Sequence, residues 1–349
     1  MSSVSQRRRF ELQTERLTIR MLGRDDVTAF THYRKLPDVA HYQNWPMPYT
    51  RDLAHELADE METLGGPSAD RWVQLALEAA GGMVGDVAVW LDADSSLAMI
   101  GYTVDPDFQG QGYAVEAVEA VIAWLFRRKH VHRIAATIDP RNLASARVLE
   151  RCGFEYVGTA RSSAFVRGEW TDDARFSLLE PDWKSWCKRP ADAPKHVELV
   201  AVDAENVRAV GQIEPAFSQR GLVGPVLISL AEALVPPIED GAQVVPWYRA
   251  ISADGELVGF VMMAEPNAAE PHPYLWRLVV DVRHQGRSIG RRALEQIIAD
   301  RRAAGHTALT VSYVADQPGS PARFYERLGF VPTGRVEDGE IEAMLDLSV

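Results

Sequence analysis

Gln109-Gly110-Gln111-Gly112-Tyr113-Ala114 and Gln285-Gly286-Arg287-Ser288-Ile289-Gly290 are the two stretches that decide how this chain is read. Phe154, closing Arg151-Cys152-Gly153-Phe154, lies 45 residues after Gln109, and Phe330, closing Arg327-Leu328-Gly329-Phe330, lies 45 after Gln285. A constant offset of 176 lays residues 109–154 on 285–330 without a gap, with 13 identities in 46 positions, Arg147/Arg323 and Glu150/Glu326 among them. The frame extends backwards to pair Val104-Asp105 with Val280-Asp281. Solenoids need at least three short units, so two long copies mean duplication of a whole domain.

Working outward, each copy repeats one order of elements. Leu17-Thr18-Ile19-Arg20 is a first strand, followed by helical stretches to about residue 64. Strands Trp72 to Ala80 and Met83 to Leu91 meet at the Gly81-Gly82 turn, and a further strand runs from Ala98 to Val104. After the glycine loop an amphipathic helix is expected over Tyr113 to Lys129, then a strand at Arg133 to Ile138. A helix from Ser145 to Arg151 ends on Gly153. The second copy offers Val197-Glu198-Leu199-Val200, Trp247 to Ile251, Leu257 to Met263, Leu275 to Val280, a helix near Gly290 to Arg302, and Thr307 to Tyr313. His130 and His306 fall together in the overlay at a helix end. The expected fold is mixed α/β, with antiparallel hairpins feeding a central sheet. The Pro- and charge-rich run Lys188-Arg189-Pro190-Ala191-Asp192-Ala193-Pro194-Lys195 favours an extended path. Domains are therefore expected at 10–187 and 197–349, joined by a linker at 188–196.

The 349 residues, 46% hydrophobic and 25% charged, suit folded domains and exclude collagen-like or largely disordered chains. The formal charge is −12, and the half from residue 190 onward holds 14 Lys and Arg against 22 Asp and Glu. Such acidity argues against nonspecific binding to nucleic acid or to an anionic membrane, and leaves room for a cationic small molecule. Cys152 and Cys187 are too few for a disulfide framework, and no Cys/His cluster has zinc spacing. Arg7-Arg8-Arg9 is followed by no apolar h-region, so a solvated tail is expected rather than a secretory signal. No apolar run approaches a membrane span, and a cytoplasmic location is expected.

A strand ending at Val104 or Val280, a loop of small residues and a helix make a phosphate-binding element. Small residues let the backbone turn with several N–H groups pointing one way, and the helix N-terminus adds partial positive charge. The loop is not a dinucleotide fingerprint, which needs G-x-G-x-x-G early in the domain. Walker A is excluded by the missing Gly-Lys-Ser/Thr ending.

With these residues in view, the sequence resembles the GNAT superfamily of acyl-CoA-dependent N-acetyltransferases, whose signature is Gln/Arg-x-x-Gly-x-Gly/Ala followed by a later helix ending in Gly-Phe. The resemblance covers nearly all of both units. It implies two tandem domains in which central strands splay apart, the pantetheine arm lies in the gap, and the loop backbone binds the pyrophosphate of acetyl-CoA. Val104 and Val280 then meet the pantetheine. Gln109, Gly110, Gln111, Gly112, Tyr113 and Ala114 form one pyrophosphate loop, and Gln285, Gly286, Arg287, Ser288, Ile289 and Gly290 the other.

The first unit, through Ile100-Gly101-Tyr102 and Asn142-Leu143-Ala144-Ser145, looks like acetyltransferases of ribosomal-protein N-termini. That likeness places Asn142 and Ser145 beside the pantetheine and thiol, although Ser145 also reads as a helix N-cap. Met99 and Leu149 stand where such relatives have an acid and other branches a tyrosine. The second unit, through Leu275 to Asp281, Gly319 to Tyr325 and Asp338-Gly339-Glu340, looks like polyamine and small-amine acetyltransferases. There Tyr325 takes the general-acid position, and Ser288 replaces the middle glycine of the loop. Asp86, Glu78, Glu265 and Asp281 are candidates for the base, and Tyr42-Gln43-Asn44-Trp45-Pro46 for an acceptor pocket. The resemblance implies transfer of acetyl to a primary amine, on a small molecule or a peptide N-terminus, and admits a homodimer. The alternative is that one unit is a non-catalytic acyl-CoA-binding, scaffold or dimerisation module.

Overall fold

In the computed structural model, which describes residues 10–239, 241–268, 270–315, 317 and 319–348, the chain divides between Cys187 and Lys188. Arg7-Arg8-Arg9 lies outside the described residues. No helix among them is long and apolar enough to cross a membrane.

The first unit runs β1 (Glu11–Gln13), β2 (Thr18–Met21), α1 (Val27–Arg34), α2 (Pro37–Ala40), α3 (Arg51–Glu62), β3 (Trp72–Ala79), β4 (Gly82–Leu91), β5 (Leu97–Val104), α4 (Tyr113–Trp124), β6 (Arg133–Ile138), α5 (Leu143–Arg151), β7 (Glu155–Val166), β8 (Glu169–Leu179) and α6 (Glu180–Trp186). Its sheet has the order β1-β2-β3-β4-β5-β6-β8-β7. β3 and β4 read as continuous apolar runs because both are buried on both faces, with Val73, Leu75, Leu77, Val87 and Val89 at 1% exposure or less.

The second unit runs β9 (Val197–Val200), α7 (Val207–Val210), α8 (Val226–Leu234), β10 (Ile238–Glu239), β11 (Ala242–Gln243), β12 (Val245–Ala253), β13 (Glu256–Glu265), β14 (Tyr274–Val280), α9 (Ile289–Ala303), β15 (Ala308–Tyr313), α10 (Ala322–Arg327), β16 (Val331–Glu337) and β17 (Glu340–Asp346). Its main sheet has the order β16-β17-β15-β14-β13-β12-β9. One cluster gathers Ile289, Leu294 and Ile297 of α9 with Leu275, Leu309 and Tyr325, and another packs Val210 and Val226 against Phe260 and Val279. Residues 192–197 are tied to this unit: Arg287 donates to the Asp192 carbonyl, Arg292 to those of Pro194 and Lys195, and Gln296 to that of Val197.

Each unit opens its sheet at one seam. β5 and β6 run parallel but pair only at Leu97, Ala98 and Met99; β14 and β15 pair only at Tyr274 and Leu275. Beyond those residues each pair of strands diverges, while β5 and β14 stay bonded to their outer neighbours as far as Val104 and Val280. A slot lined by unpaired backbone groups is the result, and an extended chain can lie in it as an added strand. Gly85 and Gly259 hold the outer side of that geometry. A Cβ on Gly259 would sit 2.6 Å from the Val279 carbonyl oxygen, and one on Gly85 would collide with that of Thr103. Only glycine permits those strands to approach so closely.

The repeat frame slips by one residue inside this scaffold. The expected helix over Tyr113 to Lys129 is α-helical to Trp124 and then takes a π turn over Leu125–Lys129. That turn adds a residue, so the left-handed position ending the first helix is His130 (φ 57°), while the second helix has Gly305 there (φ 87°), not His306. The frame returns by the next helix end, where Gly153 and Gly329 adopt φ values of 88° and 92°.

Candidate active site

The two loops fold alike. Gln109 Nε2 donates to the Val104 carbonyl at 3.0 Å, and Gln285 Nε2 to that of Val280 at 2.9 Å, closing each strand onto its loop. Gly110 and Gly286 take φ values of 73° and 76°, and Gly112 and Ser288, the residues that precede α4 and α9, take 86° and 61°. Neither Gly112 nor Ser288 caps its helix with a side chain, so the first N–H groups of α4 and α9 remain as donors at the mouth of each slot. A slot for an extended arm followed by a nest of N–H groups at a helix start fits the pantetheine and pyrophosphate of coenzyme A. Tyr113 and Ala114 open α4, whereas Ile289 is buried under α9 and Gly290 faces Val280 and Phe324.

Charge is arranged differently around the two loops. In the first, Arg16 donates to the Gln111 carbonyl at 2.9 Å, pairs with Glu116 and lies 4.6 Å over the Tyr113 ring. Burial pushes the Glu116 carboxyl up, but hydrogen bonds from Thr14 and Arg16 outweigh it and hold it low. In the second, Arg287 turns away from the loop mouth, is 7% exposed, and bonds Asp192 O and His284 Nδ1.

A cavity of about 650 Å³ follows the second slot from Gln285, Gly286 and Ser288 to Tyr325. Tyr325 is 8% exposed on α10 and is gripped by Tyr313, Phe324 and Phe330 at ring distances of 5.2–5.6 Å. Burial, then the neighbouring Tyr274, Glu340 and Tyr313, push its phenol well above the usual tyrosine range. It therefore carries its proton at neutral pH, as an acid must. The seam strand of this unit, β14, has a bulge: Met262 pairs with Arg277 and Met263 with Leu275, leaving Trp276 unmatched.

The first unit is built otherwise at the same place. β5 keeps unbroken register with β4 from Ala98 to Val104. Leu149, opposite Tyr325 in the repeat, is fully buried. Tyr102 donates its hydroxyl to the Ser145 carbonyl at 2.8 Å. Asn142, not Ser145, is the N-cap of α5, its Oδ1 accepting from Ser145 N at 3.1 Å. Helix start and loop chemistry thus coincide at Asn142, leaving the Ser145 side chain outside the cap.

The four carboxylates read as base candidates all have other partners. Asp86, 1% exposed, accepts from Tyr33, Arg34 and Gln74, while Arg34 is stacked over Phe30 and Trp45. Trp45 of the candidate acceptor loop belongs to this box, and its indole donates to the Arg34 carbonyl. Glu78 pairs with Arg20, Glu265 with Arg301, and Asp281 caps its own turn through Arg283 N. Glu340, close enough to raise Tyr325 and Tyr274, is the carboxylate nearest in effect to the acid position.

Comparison with known proteins follows the same division. A sequence model described as an acetyltransferase (GNAT) domain matches residues 16–155, and one described as the acetyltransferase (GNAT) family matches 230–330. The [ribosomal protein uS5]-alanine N-acetyltransferase of Escherichia coli (strain K12) is 38% identical over 84 residues, 24% of this chain and 43% of that enzyme. The N-acetyltransferase p20 of Bacillus licheniformis is 27% identical over 174 residues, 49% of this chain and 97% of that protein. Four relatives matched over 84 or 85 residues are each spanned over less than half their length. Among solved structures, spermidine N-acetyltransferase from Vibrio cholerae in complex with CoA and spermine is 20% identical with a TM-score of 0.44, over 49% of this chain and 99% of that one. Matched by two such domains that together take in more than half its length, the chain belongs to the GNAT acetyltransferases and carries their domain twice.

Proposed function

We propose that the second unit is an acetyl-CoA-dependent N-acetyltransferase acting on a primary amine, and that the first unit keeps the cofactor-binding plan in a supporting role. The observation that carries this is the cavity joining the second loop to the buried, protonated Tyr325. Acetyl-CoA, the donor used by GNAT acetyltransferases, supplies the acetyl group as a thioester. Val280 and the β14 backbone hold its arm in the slot, the N–H groups of residues 286–290 take its phosphates, and the aromatic grip on Tyr325 excludes water. The neutral amine bonds to the thioester carbon and the carbon–sulfur bond breaks. Tyr325 holds its phenolic proton for the departing sulfur, and the amine's surplus proton passes toward Glu340.

A supporting role for the first unit is favoured by Leu149 at the acid position and by the Tyr102 hydroxyl, already bonded to Ser145. The relatives of that half include an enzyme acting on a ribosomal-protein alanine, so a peptide N-terminus is the acceptor it would take if active. Cys152 and Cys187 are not joined in a disulfide, which supports a reducing, cytoplasmic setting.

Calorimetry with acetyl-CoA and a thiol-release assay across amino acids, polyamines, aminoglycosides and N-terminal peptides test the reading. Acetyl-CoA binding with amine-dependent thiol release is expected; binding without release on any amine would overturn it.

A further inference from the structure

The cavity of the second unit carries charge opposite to its surroundings. From residue 190 onward acidic residues outnumber basic ones 22 to 14, yet the charged side chains lining the cavity are Arg277, Arg291, Arg323 and Arg327, with no carboxylate among the described lining residues. Arg291 lies in the first turn of α9, beside the loop where the phosphates of coenzyme A belong, and Arg323 and Arg327 lie on α10 with Tyr325.

Arg277 lies elsewhere. It is two residues past the last β14–β15 pair, Leu275 with Val311, at the point where the strands begin to part and the thioester must come to rest. From there Val280 is three residues, about 10 Å, farther along the strand, and the loop is farther still. The bulge at Trp276 accounts for its direction. Trp276 packs with the α7 and α8 cluster, and Arg277, the next residue, also faces α8, its Nη2 lying 3.5 Å from Glu232 Oε2. The guanidinium is only partly satisfied: Nη1 donates to the Trp276 carbonyl at 2.9 Å, while Nε is buried without a hydrogen-bond partner. Glu232 Oε2 is buried too and meets Arg277 in that ion pair without accepting a hydrogen bond. An N–H donor and an ion-paired carboxylate oxygen thus stand close together with hydrogen-bonding capacity left over, the complement of a group that presents an anion next to a donor. The first unit has no counterpart, since Gly101 occupies that place in the repeat and the space beyond its Cα is open.

We propose that the acceptor taken by the second unit is an amine that also carries a carboxylate, as an amino acid does, and that Arg277 binds the carboxylate. This rests on the reading of that unit as an N-acetyltransferase. A planar guanidinium matches a carboxylate through paired N–H donors, and it disfavours a polyamine, which brings only positive charge.

The test uses the full chain and amines offered in pairs, each as the free carboxylate and as its primary amide, with spermidine as a third arm. The wild type is expected to prefer carboxylates over amides by about 100-fold or more in kcat/KM, because an amide offers the guanidinium no negative charge. Arg277→Gln is expected to erase that preference by lowering kcat/KM for carboxylates far more than for amides, with calorimetric affinity for acetyl-CoA retained, and Arg277→Lys to restore part of it. Equal use of amides, better use of spermidine, or a preference surviving in Arg277→Gln would overturn the proposal and leave the transferase reading intact. Loss of acetyl-CoA binding in Arg277→Gln would assign the guanidinium to the cofactor instead. Binding of acetyl-CoA with no amine turned over would defeat the transferase reading and this one together.

Discussion

The two units start from one plan and diverge at the seam of the sheet. Both close a strand onto a glycine loop through a glutamine side chain, and both end a later helix on a left-handed glycine. At the seam, the first unit engages its polar groups with one another: Tyr102 with Ser145, and Asp86 with Tyr33, Arg34 and Gln74. The second leaves its own available, with Tyr325 on a cavity and Arg277 partly unmatched. Binding a cofactor needs the shared parts, whereas moving a proton and choosing an acceptor need the parts that differ. Duplication has preserved the first and released the second.

That contrast can be broken most severely at Tyr325. Tyr325→Phe keeps the aromatic grip but removes the proton, so kcat should fall about 10²–10⁴-fold while acetyl-CoA affinity is retained. An unchanged kcat would remove Tyr325 from the acid role. In the first unit the corresponding large effect is on stability. Asp86→Asn leaves the Arg34 guanidinium, 8% exposed, without its counter-charge, and should lower the stability of that unit by about 3–5 kcal/mol in denaturant titrations. Amine-dependent turnover assigned to the second unit should persist wherever that unit remains folded.

Alkaline pH probes the first unit more gently. Burial, reinforced by Asp86, raises the Tyr33 phenol, and burial, reinforced by Cys152 and Glu150, raises that of Tyr102. Their folded pKa values lie above the unfolded value of about 10, so their stabilisation is complete below that pH and is lost as pH rises beyond it. Each contributes a fall of up to about 1.4 kcal/mol per pH unit. Tyr102→Phe should make unfolding of the first unit less steep in pH by about one proton; an unaltered slope would show that this phenol is not held protonated by the fold. The smallest effect is expected at Ser288, a non-glycine residue at φ 61°. Ser288→Gly should stabilise the second unit by about 1 kcal/mol and bind acetyl-CoA more tightly, as thermal shift and calorimetry would show.

Much of this architecture is legible in the sequence because duplication writes it twice. The paired loops and Gly-Phe helix ends are strict in spacing, and β6, Arg133–Ile138, and β9, Val197–Val200, keep the bounds their patterns suggest. Features that depart from the single offset are harder to see. Gly85 and Gly259 share one role but lie 174 residues apart, outside the gapless frame. The π turn before His130 and the bulge at Trp276 insert residues that periodicity does not mark. The hairpin of β7 and β8 is irregular, with register shifts near Gly158 and between Ala160 and Ala164, so its alternation is broken where a strand reading would seek it. Arg16, Arg277 and Glu232 act through contacts between elements distant in the chain, and an arginine or glutamate in isolation carries no sign of them.

The most direct test of the division between the units is thiol release by full-length protein carrying a bulky residue in one loop at a time. A Cβ on Gly290 would lie 3.6 Å from Val280 and 3.9 Å from Phe324, and one on Gly112 3.4 Å from the Arg16 guanidinium, so tryptophan at either position disturbs its own loop. Gly290→Trp should abolish amine-dependent turnover and leave acetyl-CoA binding at the first unit, whereas Gly112→Trp should leave turnover within about twofold of the wild type. The reverse pattern, with turnover lost in Gly112→Trp and kept in Gly290→Trp, would contradict the assignment of catalysis to the second unit.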